Sequence, residues 1–66
     1  MNADVFAGKW KQLHGRAREW WGDLTDDDIN RVQGNWEKLV GLLQEHYGYA
    51  KEEAEAEIDR RFREAA

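Results

Sequence analysis

Residues 8–22 read GKWKQLHGRAREWWG and residues 34–48 read GNWEKLVGLLQEHYG, so one pattern returns after 26 positions. Six of the fifteen aligned positions are identical, and a further position pairs Trp21 with Tyr47. The identities are Gly8 with Gly34, Trp10 with Trp36, Leu13 with Leu39, Gly15 with Gly41, Glu19 with Glu45 and Gly22 with Gly48. Internal repeats usually signal one supersecondary unit used twice, each unit covering the apolar face of the other. We therefore predict a single domain over residues 1–66 with an internal pseudo-repeat, about 8–33 and 34–59.

The first copy carries a row of apolar side chains at helical spacing. The row runs through Phe6, Trp10, Leu13, Ala17 and then Trp20 or Trp21. Intervals of three and four residues indicate one buried stripe along an α-helix. Because Trp20 and Trp21 lie about 100° apart on a helix, we expect one of the two to stay partly exposed.

Turn and capping residues divide the rest of the chain into further helices. Gly22 suits the left-handed position after the first helix. Thr25, followed by Asp26, predicts the capped start of a short second helix. Trp36 opens a third helix that ends at Gly48, and a fourth helix follows. No segment alternates with the period of two that is typical of a strand. The predicted fold is all-α, a small four-helix domain of two helix-turn-helix units.

The composition excludes several kinds of chemistry. The 66 residues contain no cysteine, no proline and no serine, and Thr25 is the single threonine. Disulfides, thiolate zinc sites and serine or cysteine nucleophiles are therefore excluded. The carboxylates are accounted for as helix starts or solvent-exposed faces, so we expect no enzyme activity, no catalytic residue, no metal site and no cofactor. A domain this short buries only about 60% of its unfolded surface, so its stability margin is expected to be thin.

Charge is distributed unevenly along the chain. The net charge is −4, with +2 over residues 1–22 and −6 over residues 23–66. An acidic balance disfavours nucleic acid as a partner, and the two halves are expected to attract each other within one fold. No apolar run approaches the roughly 20 residues of a membrane span, and the first residues lack the features of a signal peptide. We therefore expect a cytoplasmic protein with no membrane span.

One segment combines positive charge with aromatic side chains. Its cations are Lys9, Lys11, Arg16 and Arg18, and its aromatic residues are Trp10, Trp20 and Trp21. Such a segment can lie on an anionic membrane or stack on single-stranded nucleic acid. The competing interpretation places the tryptophans in the core, because a small domain needs large apolar side chains there. We predict that Trp10 is core and keep Trp20 with the four cations as a candidate interaction surface.

Glycines recur every seven residues in both copies. They are Gly8, Gly15 and Gly22 in the first copy, and Gly34, Gly41 and Gly48 in the second. Each glycine inside a helix costs about 0.5–1 kcal/mol relative to alanine. Two interpretations stay open: the glycines are tolerated weak points on a solvent face, or they admit a second backbone from this fold or from another chain.

Two further patterns resemble metal sites. Four residues fall at positions 1, 3, 5 and 12 of a calcium loop, namely Asp26, Asp28, Asn30 and Glu37. Arg31 stands where that loop requires glycine. His14 and His46 lack the spacing of a paired ligand set. We assign the acidic residues to a helix start, and both histidines to the surface or its boundary.

Four blocks of the sequence carry a family signature. They are Gly8-Lys9-Trp10-Lys11-Gln12-Leu13, Trp21-Gly22-Asp23-Leu24-Thr25-Asp26-Asp27-Asp28, Gln44-Glu45-His46-Tyr47-Gly48 and Lys51-Glu52-Glu53-Ala54-Glu55. Together they are similar to the CsbD-like family of small bacterial stress-response proteins. The resemblance implies a cytoplasmic protein raised under general stress, with four helices in a SAM-domain-like arrangement. It carries over no catalytic or binding residue.

The chain departs from the usual pattern of that family at a few positions. Trp36 stands where a basic residue is common, while His14, Trp20 and Leu42 replace typical lysines. The chain is therefore less basic than the family pattern, which weakens a nucleic-acid role. Leu42 lies about 240° around its helix from Trp36 and adds apolar surface, so we include it in the candidate interaction surface.

Three functions follow as hypotheses. The first is a non-enzymatic stress protein that acts by binding or protection. The second is a nucleic-acid-associated helical module, for which salt-dependent DNA binding would be the mark. The third is a weakly self-associating or partner-binding adaptor that uses the glycine faces and Leu42.

Overall fold

The computed structural model describes residues 2–65, which form four helices. These are α1 (Ala3–Trp20), α2 (Asp26–Val32), α3 (Trp36–Tyr47) and α4 (Lys51–Ala65). The predicted all-α, four-helix fold is confirmed, and the described residues contain no strand. Met1 and Ala66, the ends of the predicted domain, lie outside them. Helices α1 and α3 each pack against all three other helices, so both contribute to the centre of the fold.

The core is formed by apolar residues, and the Trp21 indole N–H is buried among them without a hydrogen-bond partner in the described part of the chain. Across residues 2–65 no polar or charged residue is buried. The buried residues are Phe6, Trp10, Ala17, Trp21, Leu24, Ile29, Val32, Leu39, Val40, Leu43, Ala54, Ile58 and Phe62. The predicted stripes therefore face the core, with Leu13 and Tyr47 half-buried at its edge.

Aromatic rings join α1, α3 and α4 around one residue. The Phe6 ring centroid lies 5.2 Å from that of Phe62, 5.3 Å from that of Trp36 and 5.6 Å from that of Trp10. The Phe62 ring is stacked on Phe6 at 16°, and the Trp36 ring meets it edge-on at 83°. Aromatic pairs contribute about 0.5–1.5 kcal/mol beyond the area they bury. Phe6 is therefore the residue through which three helices are held together.

The end of α1 differs from the prediction in one respect. Trp21 is buried and Trp20 half-buried, as the 100° separation of the pair predicted. However, the prediction that Gly22 is left-handed is wrong, because Gly22 has no positive φ. The helix ends instead through Trp21, at φ −127° and ψ 75°, whose backbone N–H donates to the Ala17 carbonyl at 2.9 Å. This conformation directs the indole into the core, and the chain turns without a left-handed residue.

Left-handed residues end α2 and α3. Gly48 has φ 72° and caps α3 as predicted, with its N–H donating to the Gln44 carbonyl at 3.0 Å. After α2, Gln33 has φ 49° and Gly34 has φ 77°. A side chain at Gly34 would also meet Ala7 of α1 at 3.5 Å, so the turn between α2 and α3 lies close against α1.

Thr25 caps α2 as predicted, through a reciprocal pair of hydrogen bonds. The Asp28 backbone N–H donates to Thr25 Oγ1 at 3.1 Å, and the Thr25 backbone N–H donates to Asp28 Oδ2 at 3.1 Å. This capping box satisfies two donors that the first turn of a helix otherwise leaves unpaired. A helix of only seven residues depends on such an end, because it makes few hydrogen bonds of its own.

Thr25→Ala is expected to lower the free energy of unfolding by about 1 kcal/mol, because it removes the oxygen that accepts the Asp28 N–H. Urea unfolding followed by far-UV circular dichroism measures the loss. Thr25→Ser keeps the hydroxyl and serves as the control, with stability near that of the wild type. Equal losses in the two variants would show that the hydroxyl does not cap α2.

Candidate functional site

The four cations of the predicted interaction surface lie on two sides of α1. Lys9 and Arg16 are seven residues apart, as are Lys11 and Arg18, so each pair falls within about 20° around the helix. The two pairs are separated by about 180° and flank the buried stripe. Lys9 is half-buried and the other three are exposed. The fold therefore does not gather these cations into one patch.

Two members of that surface make contacts within the molecule. Arg18 forms an ion pair with Asp26 at the start of α2, which joins the basic and acidic parts of the chain as expected. The half-buried Trp20 ring lies 5.5 Å from the Trp21 ring and 5.9 Å from the Phe62 ring, measured between centroids. Trp20 therefore belongs to the edge of the core, with only part of its ring open to a partner. An interaction role for these residues stays a prediction.

The helical glycines lie on solvent-exposed faces. Gly8, Gly15 and Gly41 are all exposed, and a methyl group added to any of them would meet no atom within 4 Å beyond its own turn. The interpretation that these glycines admit a second backbone within the fold is wrong, because the helices pack through the opposite, apolar stripes. Approach of a second chain to the glycines stays a prediction.

Leu42 lies in a groove between α2 and α3, which we call the α2–α3 groove. The groove has a volume of about 480 Å³ and is lined by Arg31, Gln33, Lys38, Gly41, Leu42 and Glu45. Leu42 is half-buried and packs against the core, so only part of its side chain faces the groove. None of the four α1 cations lines it. Leu42 and those cations are therefore separate surfaces.

A second groove of about 360 Å³ lies between α3 and the start of α4. Its lining includes Trp36, Val40, Lys51 and Glu55. The Trp36 indole N–H donates to Glu55 Oε2 at 3.3 Å, so these two polar groups of the groove satisfy each other. This pairing makes the groove a less open site than the α2–α3 groove.

One polar contact near the core escaped the sequence prediction. The Asp23 backbone N–H donates to the Tyr47 hydroxyl at 3.2 Å, which ties the turn after α1 to the end of α3. The Tyr47 ring also stacks on Tyr49 at 5.6 Å and 17°. The repeat pairs Trp21 with Tyr47, but it holds no information on which backbone group the hydroxyl meets.

Hydrogen bonds and neighbouring charges lower the pKa of Asp28. The Thr25 backbone N–H is the largest cause, and burial opposes it. The Thr25 side chain and electrostatic interactions with His46 and Arg31 lower the pKa further. His46 Nε2 lies 3.3 Å from Asp28 Oδ2 and so connects the end of α3 to the start of α2.

Glu57 joins two arginines on the surface of α4. Partial burial raises its pKa, but hydrogen bonds from Arg60 and Arg61, together with their charges, outweigh burial and lower the pKa below its ordinary value. The Arg60 Nη2 atom lies 2.6 Å from Glu57 Oε2, and the Arg61 Nε atom lies 3.0 Å from Glu57 Oε1. The same hydrogen bond with Glu57 raises the pKa of Arg60.

Stability is expected to fall as the pH drops below about 4.5. The fold lowers the pKa of Asp28 from 3.8 and that of Glu57 from 4.5, so the unfolded chain takes up protons first as the solution is acidified. Their contribution is complete above those two values and is lost as the pH falls through the lower pKa values of the folded protein. Urea unfolding at a series of pH values measures this slope.

Asp28→Asn keeps an oxygen for the Thr25 N–H but does not titrate. The free energy of unfolding should therefore depend less on pH in the lower part of this range. Asp27→Asn is the control, because Asp27 is exposed in the same turn and lies outside the capping box. An unchanged slope in Asp28→Asn would contradict the linkage.

The acidic run of α2 does not form a calcium loop. Asp26, Asp28 and Asn30 all lie within a continuous helix, where Asp28 accepts the Thr25 N–H. Within residues 2–65 no group of three or more histidine or carboxylate side chains is placed to hold a metal ion. His14 is exposed, and its Nδ1 atom lies 3.1 Å from the Lys11 carbonyl oxygen. His46 lies in the last turn of α3, beside Asp28 of α2. Both histidines lie where the sequence predicted.

The four-helix fold and the four sequence blocks together indicate the family to which the chain belongs. The sequence profile of the CsbD-like family matches residues 4–56, which include nearly all of α1, all of α2 and α3, and the start of α4. The chain therefore belongs to the CsbD-like family, as the four blocks predicted. A helix long and apolar enough to cross a membrane does not occur among the described residues.

Individual bacterial relatives cover nearly the whole chain. A UPF0337 protein of Pseudomonas aeruginosa is 60% identical over 58 residues, which are 88% of this chain and 89% of the relative. A UPF0337 protein of Bordetella pertussis is 57% identical over 58 residues, 88% of each chain. UPF0337 protein YjbJ of Escherichia coli is 51% identical over 59 residues, 89% of this chain and 86% of its own. No solved structure matches, so the SAM-domain-like arrangement of the helices stays a prediction.

Proposed function

We propose that the protein is a cytoplasmic, non-enzymatic stress-response protein of the CsbD-like type that acts by binding or protection. Membership of the CsbD-like family supports the stress role. The absence of catalysis is supported by ionisable side chains that are already held by hydrogen bonds within the fold. Asp28 is held in the cap of α2, and Glu57 is held between two arginines. A general acid or base that works near neutral pH needs a pKa moved towards 7. The pKa values of both carboxylates are moved the other way.

A deletion strain tests the stress role. Loss of the gene should reduce survival after osmotic challenge and in stationary phase, and expression of the wild-type chain should restore it. Phe6→Ala, which removes the centre of the core, is the control and should not restore survival. Equal survival of the deletion and parent strains would contradict the stress role. Turnover of a substrate by the purified protein would contradict the non-enzymatic role.

Weak self-association is a second candidate, supported by one face of α1. Among residues 2–65, Val5 is the large hydrophobic side chain that is exposed, at 44%. It lies about 60° around α1 from Gly8, which is also exposed. Gly15 continues that face two turns later. Sedimentation equilibrium should show a dimer appearing towards millimolar concentration, and Gly15→Leu should reduce it. A monomer at every concentration would exclude this candidate. Nucleic acid stays disfavoured, because the cations are divided between two sides of α1 and the net charge is −4.

A further inference from the structure

The α2–α3 groove is open because one of its residues has no side chain. Gly41 is exposed in its wall, and a methyl group there would meet no atom within 4 Å. The volume of about 480 Å³ lies in the range of small-ligand sites, roughly 300–1,000 Å³. Leu42, half-buried against the core, supplies an apolar floor. The groove therefore offers both space and apolar surface for a small molecule.

Charge is arranged asymmetrically along this groove. Arg31 lies in the last turn of α2 and Lys38 in the first turn of α3, so both cations lie at the end where α2 turns into α3. Neither forms a salt bridge within residues 2–65, although the charge of Arg31 also acts on Asp28 one turn earlier in α2. Glu45 lies two turns further along α3, about 10 Å away along its axis. One end of the groove is therefore cationic and the other acidic.

A left-handed residue lies at the cationic end. Gln33, the C-cap of α2, has φ 49° and is one of the residues that line the groove. A left-handed residue is a common way for a helix to end, so Gln33 fixes where the chain turns at this end of the groove. The Gln33 side-chain amide adds a hydrogen-bond donor beside the two cations.

We propose that the α2–α3 groove binds a small amphiphilic carboxylate, with its carboxylate between Arg31 and Lys38 and its apolar part over Leu42 and Gly41. The two cations select a negative head group, and the apolar floor selects a hydrocarbon body. Glu45 repels a second negative charge at the far end, so a monocarboxylate fits better than a dicarboxylate. Binding is measured on the purified protein, so the outcome of this test does not depend on the proposed stress role.

Titration of the ¹⁵N-labelled full chain with sodium octanoate tests the proposal. Backbone amide shifts should change at the residues of the groove and saturate, while octylammonium chloride, which has the same chain and the opposite charge, should give no saturable change. Shift changes centred on α1, or equal binding of octylammonium, would overturn the proposal. Groove shifts that depend on protein concentration without octanoate would assign the groove to a second copy of the chain and would also overturn it.

Matched variants locate the ligand in the groove. Gly41→Leu fills the groove and should abolish saturable binding, while Gly15→Leu places the same side chain at the repeat counterpart on α1 and should bind as the wild type does. Lys38→Gln should weaken binding about two- to fivefold, since ion pairs of exposed cations are weak, and Lys11→Gln should leave it unchanged. Circular dichroism confirms that each variant is helical. Wild-type binding by folded Gly41→Leu would overturn the proposal.

Discussion

Phe6→Ala is expected to remove between about a third and all of the stability of the protein. The Phe6 side chain is fully buried, and its ring contacts those of Phe62, Trp36 and Trp10. Truncating a buried phenylalanine to alanine costs about 3–5 kcal/mol. At roughly 0.05–0.15 kcal/mol per residue, a domain of 66 residues has a total stability of about 3–10 kcal/mol. Far-UV circular dichroism and urea unfolding measure the loss.

The neighbouring residue supplies the control for this prediction. Val5 is exposed, so Val5→Ala should change the free energy of unfolding by no more than about 0.5 kcal/mol. Phe6→Leu keeps most of the apolar volume but loses the ring contacts, so its stability should lie between those of the wild type and Phe6→Ala. A wild-type urea midpoint in Phe6→Ala would refute the central position given to Phe6.

The double variant Gly15→Ala, Gly41→Ala is expected to melt at a higher temperature than the wild type. Both glycines are helical and exposed, and an added methyl group meets no atom within 4 Å at either position. Each replacement should stabilise its helix by about 0.5–1 kcal/mol, and distant sites add. A domain of this size gains about 4–8 °C per kcal/mol, so the melting temperature should rise by roughly 5–15 °C. Differential scanning calorimetry measures the shift.

Gly48→Ala is the matched control for the double variant. Gly48 has φ 72°, a conformation that side chains disfavour, so the same substitution should destabilise the protein by about 1 kcal/mol. A double variant without a gain in stability would contradict this prediction and favour contact of another chain with Gly15 or Gly41. A rise in melting temperature with unchanged sedimentation would exclude that contact.

The helices were predictable from the sequence because their determinants are local. The oxygen of Thr25, the left-handed freedom of Gly48 and the spacing of apolar residues act within a few positions of where they stand. The end of α1 was mispredicted because a distant effect decided it. Burial of the Trp21 indole outweighed the local preference of Gly22 for a left-handed turn.

The candidate site was less predictable than the fold. The α2–α3 groove depends on how α2 and α3 cross and on the left-handed Gln33, which no local pattern indicates. The division of the α1 cations, in contrast, was available from the sequence. Lys9 and Lys11 are two residues apart and therefore point to different sides of any helix.

The core of residues 2–65 contains no buried charge, so its stability should respond to salt and to osmolytes in different ways. Rising salt screens exposed ion pairs such as Arg18 with Asp26, but such pairs add little to stability. Burial of apolar surface is not screened, and osmolytes that are excluded from protein surfaces strengthen it. No buried charge pair exists among residues 2–65 for concentrated solutes to weaken. Rising concentrations of excluded osmolytes would therefore tighten this fold, while rising salt would loosen proteins that depend on electrostatic contacts.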